Sequence, residues 1–224
     1  MDSFDWHPVL FTLWASALSV LLIFPLALLA AWVLARHEWK GKSIVETIIT
    51  LPLVMPPVAT GLILLQLFGR RGFIGSFLYK TFDLDIVFTW RAVVIAAGVM
   101  AFPLLVRSIR VAFEEVPIRL EQIAKTLKAS NLKVFFTITL PLSRRGIIAG
   151  ILLAFARALG EFGATILVAG NIPGKTQTIS LSIYNLIQLG HDRDAFGFLL
   201  FSVAMAFSAV WIGEWYLRSR RKLQ

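Results

Sequence analysis

The spacing of uncharged apolar blocks constrains this chain more than any other feature. Residues 9–35 contain no Asp, Glu, Lys or Arg, and residues 48–68 are equally free of charge. Residues 92–106 form a shorter uncharged block whose flanking Arg91 and Arg107 can snorkel to the two interfaces. Residues 147–170 are apolar apart from Arg157 and Glu161, and residues 195–213 complete the series. About 20 such residues cross the hydrocarbon core of a bilayer. The expected fold is therefore an all-α polytopic membrane protein of about five transmembrane helices, with the 224 residues forming one membrane domain. An outer-membrane barrel is excluded, because the blocks lack the alternation of lipid-facing strands. The first block exceeds the length of a signal-peptide core and has no small-residue cleavage site after it, so it reads as a retained helix.

The formal net charge of +9 reports topology once its distribution is followed. If the segment after the first block is cytoplasmic, fifteen Lys and Arg residues fall on that side, including Arg36, Lys40, Lys42, the set between Arg107 and Arg145, and the tail residues Arg218, Arg220, Arg221 and Lys222. Six fall on the other: Arg70, Arg71, Lys80, Arg91, Lys175 and Arg193. Positive residues stay inside, which predicts an outer amino terminus and a cytoplasmic carboxyl terminus, and removes the need for a nucleic-acid partner. The chain has no cysteine, hence no disulfide and no thiolate metal site. His7, His37 and His191 are scattered and suggest no metal cluster.

Between the blocks, Asp2 opens a short acidic lead-in, and residues 68–91, with Asp83 and Asp85, read as a folded outer loop. Residues 176–190 are uncharged but too short and polar to span, which predicts an interfacial or re-entrant outer helix. Pro52, Pro56 and Pro57 lie inside the second block, so that helix must kink or break. Irregular backbone at that depth survives where it is buried or lines a cavity, and a pathway or gate position is favoured over a packing kink. Arg157 and Glu161, four apart on one helical face of the fourth span, would pair with each other or across a dimer. Such a pair either lines a polar path or orients helices, and the spacing does not choose between them. The small pairs Gly146/Gly150, Ala156/Gly160 and Gly160/Ala164 permit close helix contact, at a homodimer seam or within the chain.

The most informative segment is the inside loop 114–145. Leu120, Ile123, Ala124 and Leu127 share one face of a short amphipathic helix, and a second run, 132–140, stops at Pro141. A helix so placed suits a groove on a partner protein, although the same pattern would suit a helix lying among headgroups. Residues 169–176 imitate a phosphate-binding loop, but they follow an apolar span rather than a strand, so they are not read as a nucleotide site.

The loop resembles the cytoplasmic loop of bacterial ABC importer permeases, whose pattern is Glu-Ala-Ala, three residues, Gly, nine residues, Ile, one residue, Leu-Pro. Here that register places Gln122, Ile123, Ala124, Lys128, Ile138, Leu140 and Pro141. The spacing is intact; Gln122, Ile123 and Lys128 depart in identity, and Glu121 stands one residue before the usual carboxylate. Residues 157–165 and 170–178, with 51–61 and 69–75, resemble the molybdate branch of oxyanion permeases, and sulfate permeases share part of the pattern. The resemblance implies a type I importer permease of the cell inner membrane, working as a homodimer with two cytoplasmic ATPase subunits and an extracytoplasmic oxyanion-binding protein. It implies that the loop 114–145 forms the coupling helix seated in an ATPase cleft. ATP and magnesium would be bound by the ATPase, leaving this chain no cofactor and no catalytic residue. The cargo implied is molybdate, with tungstate or sulfate as alternatives. An ion-coupled secondary transporter would want paired broken helices in an inverted repeat, and only the second block is visibly broken. A membrane enzyme would want clustered ionisable groups at one face, which the sequence does not present.

Overall fold

The computed structural model describes residues 5–219 and, among them, only helices and their connections. The lead-in residue Asp2 and the tail residues Arg220, Arg221 and Lys222 lie outside the described residues. Helix α1 runs over His7–Arg36, with Pro8 in its first turn, where a missing N–H costs nothing. Helices α2 (Lys42–Val54) and α3 (Pro57–Phe68) meet at a bend of 111°. Helix α4 (Phe73–Phe82) and the long α5 (Trp90–Glu114) follow. Next come α6 (Ile118–Thr126), α7 (Asn131–Val134), a π turn at Phe135–Thr139, and α8 (Leu140–Leu159). The short α9 (Gly163–Ala169), α10 (Ile179–Gln188) and α11 (Asp192–Ser219) complete the described residues. Among the described residues, four helical stretches are long and apolar enough to cross a membrane, and the bent α2–α3 pair makes a fifth when counted as one broken span.

Helix α5 is the centre of the molecule, packed against α1, α2, α8 and α9. Its small residues Ala97 and Ala101 are buried, and Leu105, Ile109 and Phe113 continue the same cluster toward its carboxyl end. In lipid there is little hydrophobic drive between helices, so close van der Waals contact must hold them. Gly146 and Gly150 of α8 supply it: a Cβ on Gly146 would stand 2.4 Å from the Ala112 Cβ, and one on Gly150 would stand 2.9 Å from the Ser108 Cβ. Of the two roles open to this pair, the intrachain one is realised. The short helix expected within 176–190 is present as α10, capped by Thr178, and the Ile179 N–H donates to the Thr12 hydroxyl at 2.9 Å, which fixes α10 to α1.

Three boundaries differ from the sequence reading. The third span is longer than 92–106, because Arg107 and Arg110 ride on the helix beyond the apolar block. The fourth is not one helix over 147–170. It begins at Asn131, ends at Leu159 and restarts as α9 after a break at Gly160. The run at 132–140 does not stop at Pro141. A straight helix would leave the Thr137 carbonyl without its donor and press it against the proline ring. The π turn absorbs both by inserting a residue, with the Leu140 N–H donating to the Phe135 carbonyl, and the helix passes through.

Candidate functional site

The segment 114–145 is largely helical, and the two faces of α6 differ. On α6 and at its C-cap, Ile123 and Leu127 are 58% and 79% exposed, and Leu120 and Ile118 are exposed beside them. Gln122 and Lys128 are exposed too, and Ala124 is half-buried. The opposite face carries Glu121, whose side chain keeps 11% of its surface. Arg36 Nε and Nη2 donate to Glu121 Oε1 at 3.0 and 2.8 Å, and the Thr139 hydroxyl donates to the same oxygen at 2.7 Å. Ile123 and Leu127 thus point away from the protein while the Glu121 carboxylate points in. Ile138 and Leu140 are half-buried at the π turn, and Pro141 is exposed at the start of α8.

Lys128, at the usual glycine position, takes the left-handed conformation a glycine would take, with φ +61°. The Lys128 N–H reaches the Lys125 carbonyl at 2.9 Å and the Ala129 N–H reaches the Ala124 carbonyl at 3.1 Å. These two bonds form a Schellman ending, so the turn survives its unfavourable residue. Lys128→Gly is expected to stabilise the protein by about 1 kcal/mol, the order of the cost of a left-handed side chain. The check is an upward shift of the unfolding midpoint in detergent; no shift would mean the turn is relaxed by other contacts.

A second group of candidate residues converges where the broken helices begin again. Pro56 caps α3 and Pro57 is its first residue, while Gly163 is the first residue of α9. A Cβ on Gly163 would stand 2.7 Å from the Pro57 Cβ, and one on Gly61 would stand 2.8 Å from the Ala164 carbonyl oxygen, so α3 and α9 lie in direct contact. Arg157 closes α8 and Glu161 sits in the break beyond it, so the two do not share one helix as their spacing suggested. They pair all the same, Arg157 Nη1 donating to Glu161 Oε2 at 2.8 Å. The other oxygen, Oε1, accepts the Ala164 N–H at 2.8 Å and so caps α9. Glu161 is 3% exposed, whereas the Arg157 side chain keeps 25% of its surface. Along α8, Arg157 lies about 18 Å of helical rise beyond Arg145. Pro52 stands apart, inside α2, a helix with no buried residue.

Several features of these sites were not read from the sequence. Arg36 had counted only as a topology charge, and Thr139 is the unspecified residue between Ile138 and Leu140. Thr60 and Thr165 are buried on α3 and α9 with hydroxyls that meet no partner. Elsewhere, helix hydroxyls such as those of Thr12 and Ser143 close onto the carbonyl four residues back. At the α4 end, Arg70 grips Asp85 through two bonds of 2.9 and 2.7 Å, which holds the exposed Asp85 carboxyl below its usual range. The phosphate-loop imitation leaves a helix, α9, and its Thr176 hydroxyl is spent inside the loop, accepting the Ile172 N–H at 3.0 Å.

The chain belongs to the family of binding-protein-dependent transport system inner membrane components, whose model matches residues 23–221. Its fold is that of the type I ABC importer permeases: it superposes on a chain of the MetNI methionine ABC transporter in an inward-facing conformation with a TM-score of 0.77, over 96% of this chain and 95% of that one, at 15% identity. It is a multi-pass protein of the inner membrane. Among curated proteins it is 49% identical to the molybdenum transport system permease protein ModB of Escherichia coli K12, covering 97% of this chain and 96% of that one. It is 38% identical to the sulfate transport system permease protein CysT of Salmonella typhimurium LT2, over 72% of this chain and 58% of that one.

Proposed function

We propose that this chain is the transmembrane permease subunit of an ATP-driven importer whose cargo is molybdate. The observation that carries the cargo is the 49% identity to a molybdenum transport permease along almost the full length of both chains. The sulfate relative is less similar and shares a shorter stretch, which makes sulfate the second reading. Molybdate, tungstate and sulfate are all tetrahedral dianions, so the choice rests on small differences in size and hydration.

In this reading two copies enclose one path, with the amino terminus outside and the carboxyl terminus in the cytoplasm, as the distribution of Lys and Arg indicates. The exposed α2, with no buried residue of its own, is a natural surface for the second copy. Two ATPase subunits dock on the outward face of α6, around Ile123 and Leu127, and a binding protein delivers the anion at the α4 end. ATP and magnesium are held by the ATPase, and this chain contributes binding and motion rather than bond chemistry. The path passes the restart of α3 and α9, with Pro56, Pro57, Arg157 and Glu161 shaping a gate. Glu161 neutralises Arg157 and so keeps the anion from being trapped there, which suits a path through which cargo must pass. Nucleotide-driven closure of the ATPases moves α6, and the gate alternates between the two sides.

The test is ATP hydrolysis in liposomes containing this chain, its ATPase and its binding protein. Binding protein loaded with molybdate is expected to stimulate hydrolysis at least fivefold over empty binding protein, with sulfate giving less than a twofold change. Equal stimulation by sulfate would move the chain to the sulfate reading. Failure to recruit an ATPase would remove the importer reading.

A further inference from the structure

The carboxylate of Glu121 ties together three segments that are distant in sequence. Its partners are Arg36, the last residue of α1, and Thr139, the last residue of the π turn. All three donated bonds end on one oxygen, Oε1, at 3.0, 2.8 and 2.7 Å. Arg36 Nη2 also donates to the Val116 carbonyl at 3.3 Å, just before α6 begins. The group is shielded: Arg36 and Glu121 side chains keep 10% and 11% of their surface, and Thr139 keeps 1%. Other ion pairs at this end are more exposed, with Glu38 at 87% and Glu114 at 46%.

Two features make this a joint rather than one more stabilising contact. First, α6 does not rest on a filled apolar bed, because a cavity of about 240 Å³ lies beside the charge group, lined in part by Trp32, Lys125, Gln122 and Asn131. The charged bonds are therefore a main connection between α6 and the spanning helices. Such bonds are short, directional and costly to stretch away from water, whereas an apolar contact can slide. Second, the π turn sets which way Thr139 faces. One inserted residue turns the following side chains about 100° around the helix axis.

We propose that Glu121 is the positioning residue that makes α6 move as one body with the end of α1 and the start of α8, through Arg36 and Thr139. This rests on the permease reading and assigns Glu121 inward, to the chain's own helices, rather than to the ATPase surface. A push on the outward face of α6 then reaches two spanning helices at once. Without the joint, α6 yields into the cavity and the push is lost.

The experiment compares Glu121→Gln and Thr139→Val with wild type in liposomes with the ATPase and molybdate-loaded binding protein. Molybdate taken up and ATP hydrolysed are both measured, and their ratio is the readout. Uptake per ATP is expected to fall at least fivefold in Glu121→Gln and about twofold in Thr139→Val, with the ATPase still bound. Glu38→Gln, at an exposed pair, is expected to leave the ratio unchanged. If Glu121 serves folding alone, less complex is recovered but the ratio stays at the wild-type value, which overturns the proposal. Should Glu121→Gln not assemble, Thr139→Val carries the same test. A wild-type complex that hydrolyses ATP yet moves no oxyanion removes the permease reading and this joint with it, whereas an unchanged ratio in a transporting complex removes the joint alone.

Discussion

Glu161→Ala is expected to destabilise the protein by about 3 kcal/mol, a large fraction of what a folded chain of this size has to lose. Two losses combine. Arg157 keeps its charge within the membrane and loses its carboxylate at 2.8 Å, and the Ala164 N–H loses its acceptor, uncapping α9. Glu161→Gln separates them, because the amide oxygen still accepts from Ala164 while the charge is gone; about half of the loss should return. Replacing both residues, Arg157→Met with Glu161→Met, should cost less than the sum of the single changes, since no unpaired charge remains. Unfolding midpoints in SDS titration of wild type, Glu161→Ala, Glu161→Gln, Arg157→Met, Glu161→Met and the double variant test this. Additive single and double losses would show that the pair does not interact energetically. If Glu161→Ala unfolds at the wild-type midpoint, solvent reaches Arg157 and its site is not membrane-buried.

Leu127→Asp combined with Ile123→Asp is expected to weaken ATPase binding at least a hundredfold while leaving the fold intact. Both side chains are exposed, at 79% and 58%, so within this chain they have few contacts to lose. A docked groove would desolvate them, and burying a carboxylate in place of a fully buried Leu or Ile side chain loses about 2–3 kcal/mol of transfer and adds the cost of the charge. Coupling-helix docking is the only reading in which so large an effect falls on association and not on stability. Co-purification with the ATPase, read beside the SDS midpoint, distinguishes the outcomes. Unimpaired ATPase binding would leave the face to the membrane surface instead.

Which helices exist was legible in the sequence for a simple reason. In lipid each backbone N–H and C=O must be satisfied within its own segment, so an uncharged block of sufficient length becomes a helix whatever surrounds it. The break in the second block was legible as well, because Pro52, Pro56 and Pro57 lack donors, and the bend of 111° falls just before the latter pair. The family register put Lys128 where a glycine is usual, but it did not say that the lysine would keep the left-handed turn, with φ +61°.

The break in the fourth span was hidden, since Gly160, Glu161 and Phe162 carry no proline and sit in an apolar run. That interruption holds because Glu161 caps the restart and α3 accepts Gly163 and Ala164 at backbone distance, contacts from residues about a hundred positions away. The partnership of Glu121 with Arg36 spans 85 positions and was equally hidden. Apolar length and missing N–H groups are properties of single segments, so sequence alone determined the number of spans, the broken second helix and the amphipathic face of α6. Pairings depend on which helices the packing of α5 against α1 and α8 brings together, so only the tertiary structure decided that Glu121 faces inward and that Arg157 and Glu161 meet across a break.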